Sequence, residues 1–252
     1  MAKTDDILIR PCASVEEFRE CVALQRTVWG FADADLIPTR FFVVARKIEG
    51  QVIGAFDAAG RLAGFCLAVP ALRGKTVYFH SHMLGVLPEF RGRRLGRRLK
   101  LAQRSDALAR GIRLIEWTFD PLEGRNAHLN LNLLGAVARR YVPNHYGVST
   151  SPLHRSLPTD RLIAEWWLDS PRAVACAEAE GTPQPPQDVR RRIAIPLDLN
   201  EETSGDGAAL ASVQLAIRRQ FQDAFQSGLA AVGFAIQGNI GNYLLGPWSE
   251  PG

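Results

Sequence analysis

The stretch that decides the fold is Tyr78–Gly111, YFHSHMLGVLPEFRGRRLGRRLKLAQRSDALARG. Its first part, Tyr78 to Val86, is an apolar run with β-branched and aromatic members and reads as a buried strand. Pro88 stops the strand. A turn of arginine and glycine follows, Arg91-Gly92-Arg93-Arg94-Leu95-Gly96. From Leu95 the apolar residues fall at Leu95, Leu99, Ala102 and Leu108, and Gly111 ends the run, so this part reads as a helix. Strand, arginine–glycine turn and helix make a recipe for holding phosphate. A helix N-terminus presents N–H groups and the positive end of its dipole, glycine lets the main chain come close, and arginines add fork-shaped charged contacts. The same turn also suits a solvated face or a nucleic-acid patch, and its physics alone does not choose.

The rest of the chain narrows the choice. At 252 residues it can bury a full core, and one domain plus an appendage is expected. Hydrophobic content of 46% with 22% charged residues is ordinary for a soluble globular protein. The net charge is +4, and much of the excess sits between Arg91 and Lys100. A local positive field suits an anionic cofactor better than a long nucleic-acid backbone. Cys12, Cys21, Cys66 and Cys176 have no CxxC or metal-ligand spacing, so no metal is expected. The N-terminus, MAKTDDILIR, has no apolar signal region, and no apolar run reaches membrane-spanning length. The reading is a reduced, cytoplasmic protein with no membrane partner.

In chain order, Ile7–Arg10 is a short strand, Ser14 caps a helix that Gly30 closes, and Pro38 opens a second helix through Lys47. A strand over Phe42–Ala45 is the competing assignment. Gln51–Phe56 and Arg61–Val69 flank Asp57-Ala-Ala-Gly60 as a hairpin. Arg113–Phe119 alternates and is a strand, and Glu123–Tyr141 carries apolar residues at helical spacing. Tyr146–Arg155 and Arg161–Leu168 read as strands. Ser170–Val189, with Pro183-Gln-Pro-Pro186, reads as a linker. Arg191–Leu197 is a strand, Asp206–Ser227 an amphipathic helix, and Leu229–Leu245 a second apolar stretch broken by glycines.

Val86-x-Pro88-x-Phe90-Arg91-Gly92-Arg93-x-Leu95-Gly96-x-x-Leu99 resembles the acyl-CoA-binding turn of the GNAT acyltransferase superfamily. That pattern is Arg/Gln-x-x-Gly-x-Gly/Ala, after a strand and opening a helix. Arg91 and Gly96 match it, and Arg94 stands where the family usually has its first glycine. The resemblance implies an α/β fold with a mixed sheet, a GNAT-like domain over residues 1–170; the shift in composition then gives a linker or long loop over 171–189, and the pattern beyond it a β-α-β extension over 190–252 packing on the first domain. It implies acyl-CoA, acetyl or succinyl, as co-substrate, with Arg91, Gly92, Arg93, Arg94, Leu95, Gly96 and Arg97 cradling the pyrophosphate. In the family the helix after the splayed strand carries an asparagine near the cofactor and ends in a tyrosine. Asn126, Asn130, Asn132 and Tyr141 are the matching types. The second half, with LEGRNAHLNLNLLGAVARRYVPNHYG, resembles a less-studied branch that includes amino-acid N-acyltransferases using succinyl-CoA.

Moving an acyl group from a thioester to an amine needs a base for the ammonium, donors for the oxyanion and an acid for the leaving thiolate. Glu116, between Ile115 and Trp117, and His82 and His80, two apart on one strand, are the candidate bases. Each has a structural alternative, an exposed strand carboxylate or a hydrogen-bonded histidine. Tyr141 is the candidate acid, with Tyr146 as the alternative. GNAT enzymes use a bulged strand at this point, so the resemblance implies the N–H groups of Leu84 and Val86 as oxyanion donors, and Gly85 between them is consistent with a bulge. No Ser-His-Asp or Cys-His arrangement is evident, which favours direct transfer. Arg125, Arg46 or Arg73 are candidates for an acceptor carboxylate. The expected function is N-acyl transfer to a small-molecule amine, an amino acid being one candidate class, with a homodimer as one open assembly. A non-catalytic CoA-binding sensor or scaffold and, behind it, nucleic-acid binding through Arg91–Lys100 are the rivals.

Overall fold

The computed structural model describes residues 6–147, 157–179, 186–198 and 207–251. The architecture is mixed α/β, as the order of elements implies. The chain divides into two compact units between Ile115 and Glu116. This division differs from the 170/190 boundaries suggested by composition.

In the first unit, β1 (Leu8–Pro11), β2 (Gln51–Phe56), β3 (Leu62–Arg73) and β4 (Thr76–Val86) lie side by side in that order, each antiparallel to the next. Helices α1 (Val15–Trp29) and α2 (Thr39–Lys47) cover one face of this sheet, and α3 (Leu95–Ala109) covers the other. Ser14 caps α1 by accepting a hydrogen bond from the Glu17 amide at 3.2 Å, and Gly30 closes it at φ +63°. The α1/α2 side is built on Phe18, Phe42, Phe65, Leu67 and Met83, and the α3 side on Ile53, Cys66, Leu95 and Leu99. Burying each such large side chain contributes roughly 1.5–3 kcal/mol. Phe42–Ala45 is therefore helical rather than a strand, because α2 turns both residues into this core.

The second unit holds β5 (Leu114–Phe119) from Glu116 onward, then β6 (Val137–Val142), β7 (Arg161–Trp167), β8 (Arg191–Pro196), β9 (Leu229–Gln237) and β10 (Ile240–Pro247). Their spatial order is β5-β7-β6-β9-β10-β8. Antiparallel pairing of β6 with β7 and of β6 with β9, through Ala138 and Ala231, makes the last three strands a continuation of one sheet. The apolar stretch Leu229–Leu245 is a hairpin, β9 against β10. Helix α6 (Gly207–Gln226) packs on β6, β8 and β9, with Phe221 and Phe234 each 5.0 Å from the buried Tyr243 ring.

Two sequence expectations fail here for identifiable reasons. Glu123–Tyr141 is not one helix. A single turn, α4 (Gly124–Ala127), passes into a π-helical turn over His128–Leu133, and Gly135 at φ +73° ends it. The β-branched and aromatic residues that follow then pair as β6, so the helical spacing of Ala138 and Tyr141 was coincidental. The supposed linker contains α5 (Pro171–Glu178), opened by Pro171 and capped by Ser170 on the Ala173 amide at 3.2 Å. The strand expected over Tyr146–Arg155 lies mostly outside the described residues, and Tyr146 itself sits in a turn.

Candidate active site

The arginine–glycine turn in the first unit has the backbone of an anion cradle. A short 3-10 turn, Pro88–Phe90, leads from β4 into it. Gly92 takes φ +78°, and a β-carbon there would meet nothing within 4 Å, so glycine serves conformation rather than space. Arg94 takes φ +54° and ψ +19°. The arginine at the usual glycine position thus keeps the left-handed backbone that the motif's glycine would supply. The Arg94 side chain, at the N-cap position of α3, makes no capping hydrogen bond to the helix's first turn. Arg91, Gly92, Arg93 and Arg94 are exposed, Gly96 and Arg97 half-buried, and Leu95 anchors the turn in the core. The Arg91 Nε donates to the Val86 carbonyl at 3.3 Å, and Arg93 lies over the Phe90 ring at 5.5 Å. Arg98 donates to the Ile7 carbonyl at 2.9 Å and so belongs to the packing of β1.

Strand β4 carries a bulge, and it falls at His82 rather than at Gly85. Met83 pairs with Leu67 while Ser81 pairs with Ala68, which leaves His82 as the extra residue. Gly85 pairs regularly with Phe65, and its missing side chain makes room for Trp29, whose ring a β-carbon would meet at 2.8 Å. Leu84 and Val86 are half-buried on the α3 face. The His80 and His82 rings are 6.0 Å apart, and burial holds the His82 imidazole below its ordinary pKa. Behind the bulge lies a group that the sequence did not single out. Lys100 is buried on α3 and donates to Ser81 Oγ at 2.7 Å, and Ser81 donates to Gln103 at 3.0 Å. Burial pushes the Lys100 ammonium down to about 7.

The second unit holds Glu116, Tyr141, Tyr146 and Asn126. Glu116 is buried, and its carboxylate accepts from Arg140. Arg140 also donates to buried Glu165 at 3.1 Å, and Arg139 donates to Glu165 at 2.7 Å. Tyr141 is not at a helix end but on β6. Its hydroxyl donates to buried Asp160 at 2.6 Å, and burial, with that carboxylate, lifts the phenol well above its usual range. Asp160 also accepts from Arg218 at 2.8 and 2.9 Å. Tyr146 is exposed, and its hydroxyl lies 2.9 Å from Thr118 Oγ1. Asn126 is exposed on α4, whereas Asn132 donates to the Phe234 carbonyl at 2.6 Å and accepts from its amide at 3.0 Å, pinning the π-turn to β9. Among the described residues no group of three or more histidine, cysteine, aspartate or glutamate side chains is placed to hold a metal, and no helix is long and apolar enough to cross a membrane.

No protein-family model and no curated protein matches the sequence. Solved structures do match the fold. An Arabidopsis thaliana protein, NAA60, solved with a bisubstrate analogue, superposes with a TM-score of 0.52 at 14% identity, over 64% of this chain and 97% of its own. YncA of Salmonella typhimurium, solved with acetyl-CoA as its cofactor, gives 0.51 at 16% identity, over 66% and 95%. An acetyltransferase of the GNAT family from Streptococcus pneumoniae gives 0.50 at 20% identity, over 63% and 98%. The fold is that of the GNAT acetyltransferases. Near-complete coverage of the neighbours, against about two thirds of this chain, means that the GNAT fold is present here with further residues beyond it.

Proposed function

We propose that the protein transfers an acyl group from acyl-CoA to the amine of a small molecule by direct attack. One observation carries this reading. Within a GNAT fold, the Arg91–Gly96 turn keeps two left-handed residues, Gly92 and Arg94, immediately before helix α3, and the Arg94 side chain does not cap that helix. Arg91, Gly92, Arg93, Arg94, Leu95, Gly96 and Arg97 are assigned to the pyrophosphate, through main-chain N–H groups and exposed guanidinium groups. Bound acyl-CoA, acetyl or succinyl, supplies the thioester.

His82 is assigned as the base that takes the proton from the amine. Burial keeps its imidazole neutral near pH 7, the form a base needs. The main chain at Leu84, Gly85 and Val86 is assigned to the thioester oxygen. As the C–N bond forms and the C–S bond breaks, the thiolate needs a proton, and exposed Tyr146 is the tyrosine assigned to give it. Tyr141 is committed to Asp160, and Glu116 to Arg140, so both are assigned supporting roles. Asn126 is kept as a cofactor contact. Location in the cytoplasm is part of the same reading.

The same two commitments favour a second reading, a CoA-binding domain without turnover. Nucleic-acid binding by Arg91–Lys100 is less favoured, because Arg91 and Arg98 already donate to main-chain carbonyls and Lys100 is buried. The test is thermal stabilisation by acetyl-CoA, succinyl-CoA and free CoA, for wild type and Gly96→Trp. Ligand at about 100 times its dissociation constant stabilises by roughly 2.7 kcal/mol. A shift abolished in the variant supports the cofactor assignment, and no shift with any ester overturns it. Amine acylation that His82→Ala abolishes supports catalysis, and CoA binding without acylation of any amine leaves the second reading.

A further inference from the structure

Arg139 and Arg140 are consecutive on β6, and a regular strand would send them to opposite faces. The β6–β7 register shifts at this point, with Ala138 opposite Ala164 and Arg140 opposite Ile163, so that Arg139 is the bulged residue. Both guanidinium groups consequently reach the same carboxylate, Glu165, whose side chain is fully buried. Arg140 extends past it to Glu116, whose side chain is also buried. The two buried carboxylates fix the two arginines from below, while the guanidinium side chains remain 30% and 46% exposed.

A third carboxylate completes the row. Glu250, half-exposed, pairs with Arg139 from the solvent side. Its segment is held by Trp248, which lies over the Arg139 guanidinium at 4.7 Å, stands 6.1 Å from the Trp167 ring and packs on Val137, Ala230 and Val232. Two arginines thus face three carboxylates. Glu116 and Glu165 cannot leave without stranding charge in the interior, but Glu250 can leave into water at little cost.

We propose that the solvent side of Arg139 and Arg140 is a carboxylate subsite for a small-molecule substrate, and that Glu250 fills it when no such substrate is bound. The ligand class is a small organic acid group, carried either by the amine acceptor or by a dicarboxylic acyl chain such as succinyl. The word substrate rests on the acyl-transfer reading, but the carboxylate subsite does not.

The test is direct binding. N-acetyl-L-alanine and its uncharged amide, and separately succinyl-CoA and acetyl-CoA, are titrated into wild type and Glu250→Gln by calorimetry. Removing the competing carboxylate is expected to tighten carboxylate binding about 3-fold or more. Tightening for N-acetyl-L-alanine and not its amide assigns the subsite to the acceptor. Tightening for succinyl-CoA and not acetyl-CoA assigns it to the acyl chain. Equal affinities in wild type and variant for every probe, or no carboxylate-dependent binding, overturn the proposal. Glu250 is exposed enough that its variant folds, and Arg139→Gln, with circular dichroism to verify folding, is expected to lose the carboxylate preference. Carboxylate binding without any response to CoA would sink the acyl-transfer reading and leave the subsite standing, and the reverse pattern would do the opposite.

Discussion

Arg93 and Arg94 sit side by side on an exposed turn before α3, whereas Arg139 and Arg140 sit side by side on β6 over a buried carboxylate. In the first pair the backbone is the working part, since Arg94 adopts a left-handed conformation at a helix start. In the second pair the guanidinium groups are the working part, turned to one face by a bulge and fixed by Glu165 and Glu116. Identical dipeptides therefore do different physical work, and the local backbone decides which. The contrast predicts that perturbing the second pair costs folding stability while perturbing the first moves ligand binding.

The largest effect is expected at Glu165. Its side chain is fully buried and accepts from both arginines, so Glu165→Gln removes the charge that compensates two guanidinium groups. Breaking a buried pair from one side costs about 3 kcal/mol or more. Chemical denaturation should register that loss, whereas Arg93→Ala should change stability by less than about 0.5 kcal/mol. Similar small losses for both variants would erase the distinction between the two pairs.

Most of the first unit was legible in the sequence, and less of the second. The strand, turn and helix from Tyr78 to Gly111 carry their signals locally: apolar run, Pro88, glycine–arginine turn, helical spacing. Cap residues Ser14 and Gly30 were equally plain. The bulges were not legible. A bulge at His82 or at Arg139 is a property of two strands in register, and nothing in one strand's residue pattern announces it. The bulge expected at Gly85 therefore lies at His82, Lys100 reads in sequence only as the end of a basic run, and nothing local marks Ser81 or Glu165. Ala127, Leu131, Leu134 and Ala138 keep helical spacing across Gly135 and so predict a helix ending at Tyr141, whereas the left-handed turn at Gly135 ends the helix and leaves Tyr141 on β6.

An intermediate effect is expected at Lys100. Its folded value near 7 lies below the ordinary 10.5, so between these values the unfolded chain holds more protons than the folded one. Stability should therefore rise with pH from about 7 to 10.5, at up to about 1.4 kcal/mol per pH unit, and the contribution is lost again as pH falls toward 7. Lys100→Met keeps the length and removes the charge. Subtracting its stability from wild type at each pH isolates this group from the surface lysines. The variant should be the more stable at pH 7, with the gap closing as pH rises toward 10.5. A gap that does not depend on pH would mean that Lys100 is charged and compensated in the folded protein.

The smallest effect on stability, and the sharpest on the comparison, is expected at Arg94. An L-residue at φ +54° bears roughly 1 kcal/mol of strain that glycine does not, while glycine costs the folded state about 0.4–1 kcal/mol in chain entropy. Arg94→Gly should consequently shift stability by only about 0.5 kcal/mol in either direction. Acetyl-CoA binding then separates the two things this residue contributes. If main-chain amides grip the pyrophosphate, affinity stays within about 3-fold of wild type, because the backbone conformation survives the change. If the guanidinium is the grip, affinity falls by about 10-fold, and the loss shrinks as added salt screens the charge in wild type. The second outcome would place Arg94 with Arg139 and Arg140, as a side chain selected for its charge, and would end the claim that backbone alone distinguishes the two pairs.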